Sequence, residues 1–185
     1  TVQAGADIIS FSGDKLLGGP QTGIIVGKKK WIERLKKNQF TRSLRVDKMT
    51  LAALETTLRH YLLDEAADKI PTLQMILMSE SAIKEKSKQL LEILEPLKKK
   101  ALIQIIDGAS EVGGGSLPDV KLPSKLITIQ PFHMPIHVFE REMRLNAPHV
   151  IGRIVNDQFL LDVRTIAYDE YPLIKQKIQT VLGNK

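Results

Sequence analysis

Hydrophobic positions recur with two different periods along this chain, and the period changes near residue 101. At the start a short apolar run (Ile8, Ile9, Phe11) breaks into Ser12-Gly13-Asp14-Lys15, passes Gly18-Gly19-Pro20 and resumes over 23–27, which predicts strand, tight loop, strand. Trp31, Ile32 and Leu35 then stand at helical spacing among lysines, with Asn38 as a stop. Asp47 is a candidate N-cap for a long helix to about residue 64, and Leu51, Leu54, Leu58, Tyr61 and Leu62 mark one face for burial. Pro71 suits the first position of a third helix, expected to run to about residue 95, with Lys84, Glu85, Lys86 and Lys88 on its polar side.

Beyond residue 101 the pattern is strand-like over 102–107, 125–130, 150–155 and 158–163, with Asn156-Asp157 as a two-residue hairpin signal. Helical spacing returns over 135–146 and 170–182. Strand, strand, helix, hairpin, helix is the order of a small α+β domain with an antiparallel sheet.

The totals narrow the partners. With 185 residues, 43% of them hydrophobic, the chain can bury one good core or two small ones. Its net charge of +6 favours an anionic partner, such as tRNA or a phosphate-bearing substrate. The absence of cysteine excludes disulfides, thiolate metal sites and cysteine nucleophiles, and suits a reducing cytosol. No apolar run reaches membrane-spanning length.

The strongest chemical signal is Lys15. An amine held on a glycine-flanked loop beside a carboxylate, Asp14, is what Schiff-base chemistry requires, because the lysine must be fixed and partly desolvated to act as a nucleophile. Arg42 and Arg45, three residues apart, form a fork suited to a tetrahedral anion, while pairing with local carboxylates is the alternative. Gly113-Gly114-Gly115-Ser116 lacks the lysine of a phosphate-binding loop and reads as a loop near a substrate entrance. His133 and His137 have Pro135 between them and no carboxylate to complete a metal motif, so no metal is expected.

The order Ser-Gly-Asp-Lys-Leu-Leu-Gly-Gly-Pro-Gln-x-Gly resembles the lysine loop of the bacterial L-seryl-tRNA(Sec) selenium transferases, fold-type-I enzymes that use pyridoxal 5'-phosphate. The resemblance continues through Arg42-Ser43-Leu44-Arg45-Val46-Asp47-Lys48, Gly114-Gly115-Ser116-Leu117-Pro118, Val150-Ile151-Gly152-Arg153-Ile154 and Leu160-Leu161-Asp162-Val163-Arg164. It implies a mixed α/β and α+β fold, the C-terminal part of such an enzyme. Residues 1–70 would end the large cofactor domain, 71–100 would form a connecting helix and 101–185 the small domain.

The resemblance also implies the chemistry. Seryl-tRNA(Sec) would be converted to selenocysteinyl-tRNA(Sec) through an aminoacrylyl intermediate, with selenophosphate as selenium donor. Lys15 would carry the cofactor and move protons, and Asp14 would orient it. Ser12, Gly18 and Gly19 would approach the cofactor phosphate, and Arg42 and Arg45 would bind selenophosphate. Such enzymes work in the cytoplasm as homo-oligomers with active sites between subunits. In this fold the acidic ring partner and stacking group come from strands upstream of the lysine, so the chain is expected to be the C-terminal piece of a longer enzyme, inactive alone. Two other readings remain: a fold-type-I lyase or ammonia-lyase acting on a small amino acid or amino sugar, and a structural or RNA-contacting fragment without catalysis.

Overall fold

The computed structural model describes residues 1–113 and 115–183. The chain divides into two compact units, residues 1–77 with 113–116, and residues 78–112 with the chain from 117 onward.

In the first unit, β1 (Ile8–Ser12) and β2 (Gly23–Gly27) pair antiparallel, from Ile8 opposite Gly27 to Ser12 opposite Gly23, as the apolar runs predict. Next comes α1 (Lys29–Lys37), ended at Asn38, whose backbone is extended while its amide donates to the Leu35 carbonyl. A short α2 (Phe40–Leu44) leads into α3 (Lys48–Leu62), followed by α4 (Ala66–Lys69) and α5 (Pro71–Leu77). Asp47 caps α3: one carboxylate oxygen accepts from the amides of Met49 at 2.7 Å and Thr50 at 3.0 Å, the other from the Thr50 hydroxyl at 2.8 Å. The Thr50 hydroxyl, then the two amides, hold this carboxyl below the usual carboxylate range. The cap therefore stabilises α3 above the ordinary carboxylate pKa and is lost as pH falls through the lowered one.

The apolar stripe of α3 does not become a buried face. Leu51 is 54% exposed and Leu62 85%, and the buried residue of this helix is Thr57. A shallow hollow along the stripe is lined by α3 residues and Leu63 alone. Periodicity reports which side of a helix is apolar, but not whether the covering surface lies in the same stretch of chain.

The second unit holds α6 (Glu80–Leu94), a 3-10 turn (Glu95–Lys99), β3 (Ala101–Glu111), β4 (Lys121–Pro131), α7 (Ile136–Leu145), β5 (Arg153–Val155), β6 (Gln158–Asp162) and α8 (Tyr171–Gly183). The strands form one antiparallel sheet in the order β3-β4-β6-β5. Leu90, Ile103, Ile127, Phe139, Phe159 and Ile178 are among the buried side chains that join the helices to the sheet, with the Phe139 and Phe159 rings edge to face at 5.4 Å. Asn156 and Asp157, both with φ above +45°, make the tight turn expected between β5 and β6.

Three further expectations from the sequence differ from the structure. The helix expected over 71–95 is two helices: α5 ends at Leu77, and Ser79 begins α6 by accepting the Ala82 amide at 3.2 Å. The apolar spacing runs on across this break because a period does not register a cap. The strand expected over 150–155 pairs only from Arg153 to Val155. Lys86, expected on the polar side, is 6% exposed; its ammonium donates to the Ile166 carbonyl at 2.5 Å and lies 4.8 Å from the Tyr168 ring centre. Burial holds its pKa below that of an ordinary lysine, with Glu170 opposing the shift. His133 precedes α7 and His137 lies in its first turn, so the two do not share a helical face. Among the described residues no helix is long and apolar enough to cross a membrane.

Candidate active site

The ten residues between β1 and β2 are tied by their own backbone. Gly13 donates to the Thr22 carbonyl at 2.8 Å, Gly18 to that of Lys15 at 3.0 Å and Gly19 to that of Gly13 at 2.8 Å. The Tyr61 hydroxyl of α3 donates to the Leu17 carbonyl at 3.0 Å, anchoring the loop to the helix. Lys15 is thus carried on a loop fixed at both ends and in the middle.

Gly18 has φ +71°, and a Cβ there would sit 2.3 Å from Ile70 Cγ2. At Gly19 the nearest atoms to a Cβ are the Gly13 carbonyl and the Thr57 hydroxyl, each at 3.2 Å. Both amides are engaged within the loop, so the two glycines chiefly let it lie close on Thr57 and Ile70. Gly18→Ala is expected to cost about 1–2 kcal/mol from the left-handed backbone alone, with the clash in addition. Gly19→Ala is expected to cost less. Urea unfolding of the two variants beside the parent checks the order.

Ser12, Asp14 and Lys15 are brought together. They line one open hollow of about 520 Å³ with Gln21 and Thr22. Ser12 and Lys15 also line a second, of about 460 Å³, with Phe11, Leu16, Leu17, Tyr61 and Ser116. The Ser12 hydroxyl donates to Asp14 Oδ1 at 2.5 Å. That bond, then the residue's own backbone amide and the Lys15 charge, hold the Asp14 carboxyl below the usual range, so it is anionic at neutral pH. Gly114 of the glycine-rich stretch lies outside the described residues, while Ser116 shares the second hollow with Lys15.

The two arginines are placed differently. Arg42 lies within α2 and Arg45 follows it in extended backbone; both are exposed, and among the described residues neither forms an ion pair. Arg45 lines a groove of about 770 Å³ along β2, α1 and α2, which meets the 520 Å³ hollow at Ser10 and Gly23. Arg42 is outside the lining of both.

Tyr61 escapes sequence reasoning as a site residue because its place in an apolar stripe makes it look like core. Its phenol is the useful part, fixing the lysine loop, and burial raises its pKa above that of an ordinary tyrosine. The signal was a polar-tipped aromatic among leucines.

Comparison with known proteins follows the same lines. The family model described as "SelA: L-seryl-tRNA selenium transferase" matches residues 1–167. A curated L-seryl-tRNA(Sec) selenium transferase of Clostridium perfringens (strain 13 / Type A) is 47% identical over 98% of this chain and 39% of its own length. That of Alkaliphilus metalliredigens (strain QYMF) is 45% identical with the same coverage, and that of Clostridium botulinum (strain 657 / Type Ba4) is 42% identical over 98% of this chain and 40% of its own. The chain thus spans about two-fifths of the length of these relatives. Among solved structures, a D-glucosaminate-6-phosphate ammonia-lyase superposes with a TM-score of 0.60 at 19% identity, over 98% of this chain and 45% of that one. This likeness shows the fold alone, which agrees with the C-terminal part of a fold-type-I enzyme.

Proposed function

Because the chain belongs to the L-seryl-tRNA selenium transferase family, we propose that the whole protein of which it forms part converts seryl-tRNA(Sec) to selenocysteinyl-tRNA(Sec) with selenophosphate, in the cytoplasm, as a homo-oligomer. The observation that carries this reading is Lys15, held on a closed loop beside an ionised carboxylate and a hydroxyl in one open hollow.

Pyridoxal 5'-phosphate, when bound, supplies the electron sink that lets a proton leave the seryl α-carbon. The residues present fit one side of such a group: Lys15 as the amine that anchors it and Ser12 as a hydroxyl for its phosphate. Lys15 then takes the α-proton and returns a proton to the departing β-hydroxyl, which leaves as water. A hydroxyl has one proton to donate. If Ser12 turns to a phosphate it must release Asp14, whose carboxylate is then available to orient the Lys15 amine. Gly18 and Gly19 are assigned to the shape of the loop, since an anion contact through their amides would require the loop's own hydrogen bonds to open. Arg42 and Arg45 bind the selenium donor, consistent with their exposed guanidiniums and the groove that Arg45 lines.

The test is reductive trapping. The whole protein is incubated with pyridoxal 5'-phosphate, treated with borohydride and digested, and the modified peptide is read by mass spectrometry. The label is expected on Lys15. A label on another lysine, or on none, would overturn the assignment.

A further inference from the structure

Away from the lysine loop, the least even feature of the molecule is its charge. Residues 28–48 carry nine lysines and arginines against two carboxylates, a net of +7, while the rest of the chain carries 18 against 19. The excess of the whole chain, +6, therefore resides in these 21 residues. α1 concentrates it. Lys29, Lys30, Arg34 and Lys37 are exposed on its outer side, whereas Ile32, Leu35 and the exposed Lys36 line the groove shared with Ile24 and Ile25 of β2.

Little of this charge is compensated locally. Lys28 pairs with Asp7 at 2.6 Å and Lys29 approaches Glu33 at 3.8 Å. Among the described residues, Lys30, Arg34, Lys36 and Lys37 have no carboxylate partner. Helix electrostatics explain only part of the arrangement. Arg34, Lys36 and Lys37 in the last turn complement the helix dipole, but Lys29 and Lys30 in the first turn oppose it, and no acid stands there to offset them. Trp31 adds order: Lys30 lies 4.9 Å and Arg34 5.1 Å from its ring centre, so the indole splints both side chains and reduces the entropy lost on binding. Lys30, Arg34 and Lys37, at i, i+4 and i+7, form a row of cations on one helix face, which fits a polyanion with regularly spaced charges.

We infer that the outer face of α1 docks the phosphodiester backbone of the RNA that delivers the substrate. This rests on the proposed function in one respect, that the seryl group arrives on tRNA. The face is distinct from the selenium-donor arginines, which follow it in α2 and the segment after it.

The test uses the whole protein and the variant Lys30→Gln/Arg34→Gln/Lys37→Gln, with seryl-tRNA(Sec) binding measured over a series of salt concentrations. Each phosphate contact contributes about 0.7–0.9 to the slope of log affinity against log salt. The variant's slope is therefore expected to be shallower by about 2–3, and its affinity at physiological salt about tenfold or more weaker. KM for the tRNA rises by the same factor while kcat at saturation stays, and an unrelated tRNA used as competitor loses affinity equally, because backbone contacts carry no sequence. These exposed positions should leave the thermal midpoint unmoved. An unchanged slope and affinity would overturn the inference while leaving the proposed function standing, as would a loss confined to kcat. No tRNA binding by the unmutated protein would overturn both.

Discussion

Arg164→Met is expected to lower the unfolding free energy of the second unit by about 3 kcal/mol. Arg164 is 5% exposed and lies in the 3-10 turn (Val163–Thr165) that follows β6. Its guanidinium donates to the Ser110 hydroxyl of β3 at 2.9 Å and to the Pro123 carbonyl of β4 at 2.5 Å. Its amide donates to Asp162 Oδ1 at 3.1 Å, and the same carboxylate accepts from the hydroxyls of Ser110 at 2.6 Å and Ser124 at 2.7 Å. Three strands are thereby pinned by one charged cluster. Methionine matches the length and the apolar stem but leaves a buried carbonyl and a serine without their donor. The Asp162 carboxylate also loses the nearby cation. Arg164→Lys should recover part of the loss, since one ammonium cannot reach both acceptors with the geometry of the planar fork. Urea unfolding of the single variants and of Arg164→Met/Ser110→Ala checks the network. The double variant should lose clearly less than the sum of the two singles, and strict additivity would mean that the side chains act independently.

That cluster also shows where sequence reading stops. Leu160-Leu161-Asp162-Val163-Arg164 contains two opposite charges in an apolar run, a visible oddity, but the partners lie 38 to 54 residues away in the chain. Only the pairing of β3, β4 and β6 brings them together. Lys86 is hidden for the same reason, because its acceptor is 80 residues distant. Features fixed by neighbours were legible. Glycine and proline punctuate the lysine hairpin, Asp47 precedes Met49 and Thr50 at capping distance, and Asn156-Asp157 specifies its turn. The break before α6 lies between these cases: Ser79 is a good cap residue, yet the leucine and isoleucine spacing continues through it. In the site, the co-location of Ser12, Asp14 and Lys15 follows from adjacency in sequence, whereas the anchoring of their loop by Tyr61 spans 44 residues and needed the fold.

Lys15→Ala in the whole protein is expected to reduce conversion of seryl-tRNA(Sec) by at least about 10²–10⁴-fold, the usual contribution of a positioned acid–base group, and by more where the anchoring amine is also required. On the roles proposed for Lys15, the loss has two physical parts. Without the amine nothing at this position exchanges a covalent bond with the cofactor, and no group there takes the α-proton or protonates the leaving hydroxyl. Small external amines can replace the second role but not the first, so they should restore a minor fraction of the rate, rising with amine basicity. Arg42→Ala and Arg45→Ala make the informative contrast. If they hold the selenium donor, loss of the seryl β-hydroxyl as water and the borohydride label on Lys15 persist, while transfer of selenium slows and its dependence on donor concentration steepens. Both arginines are exposed and outside the backbone bonds that close the lysine loop, so their removal should leave that loop intact. Disappearance of the Lys15 label in either variant would show that the arginine supports the loop rather than the donor, and would separate Arg42 and Arg45 from the chemistry proposed for them.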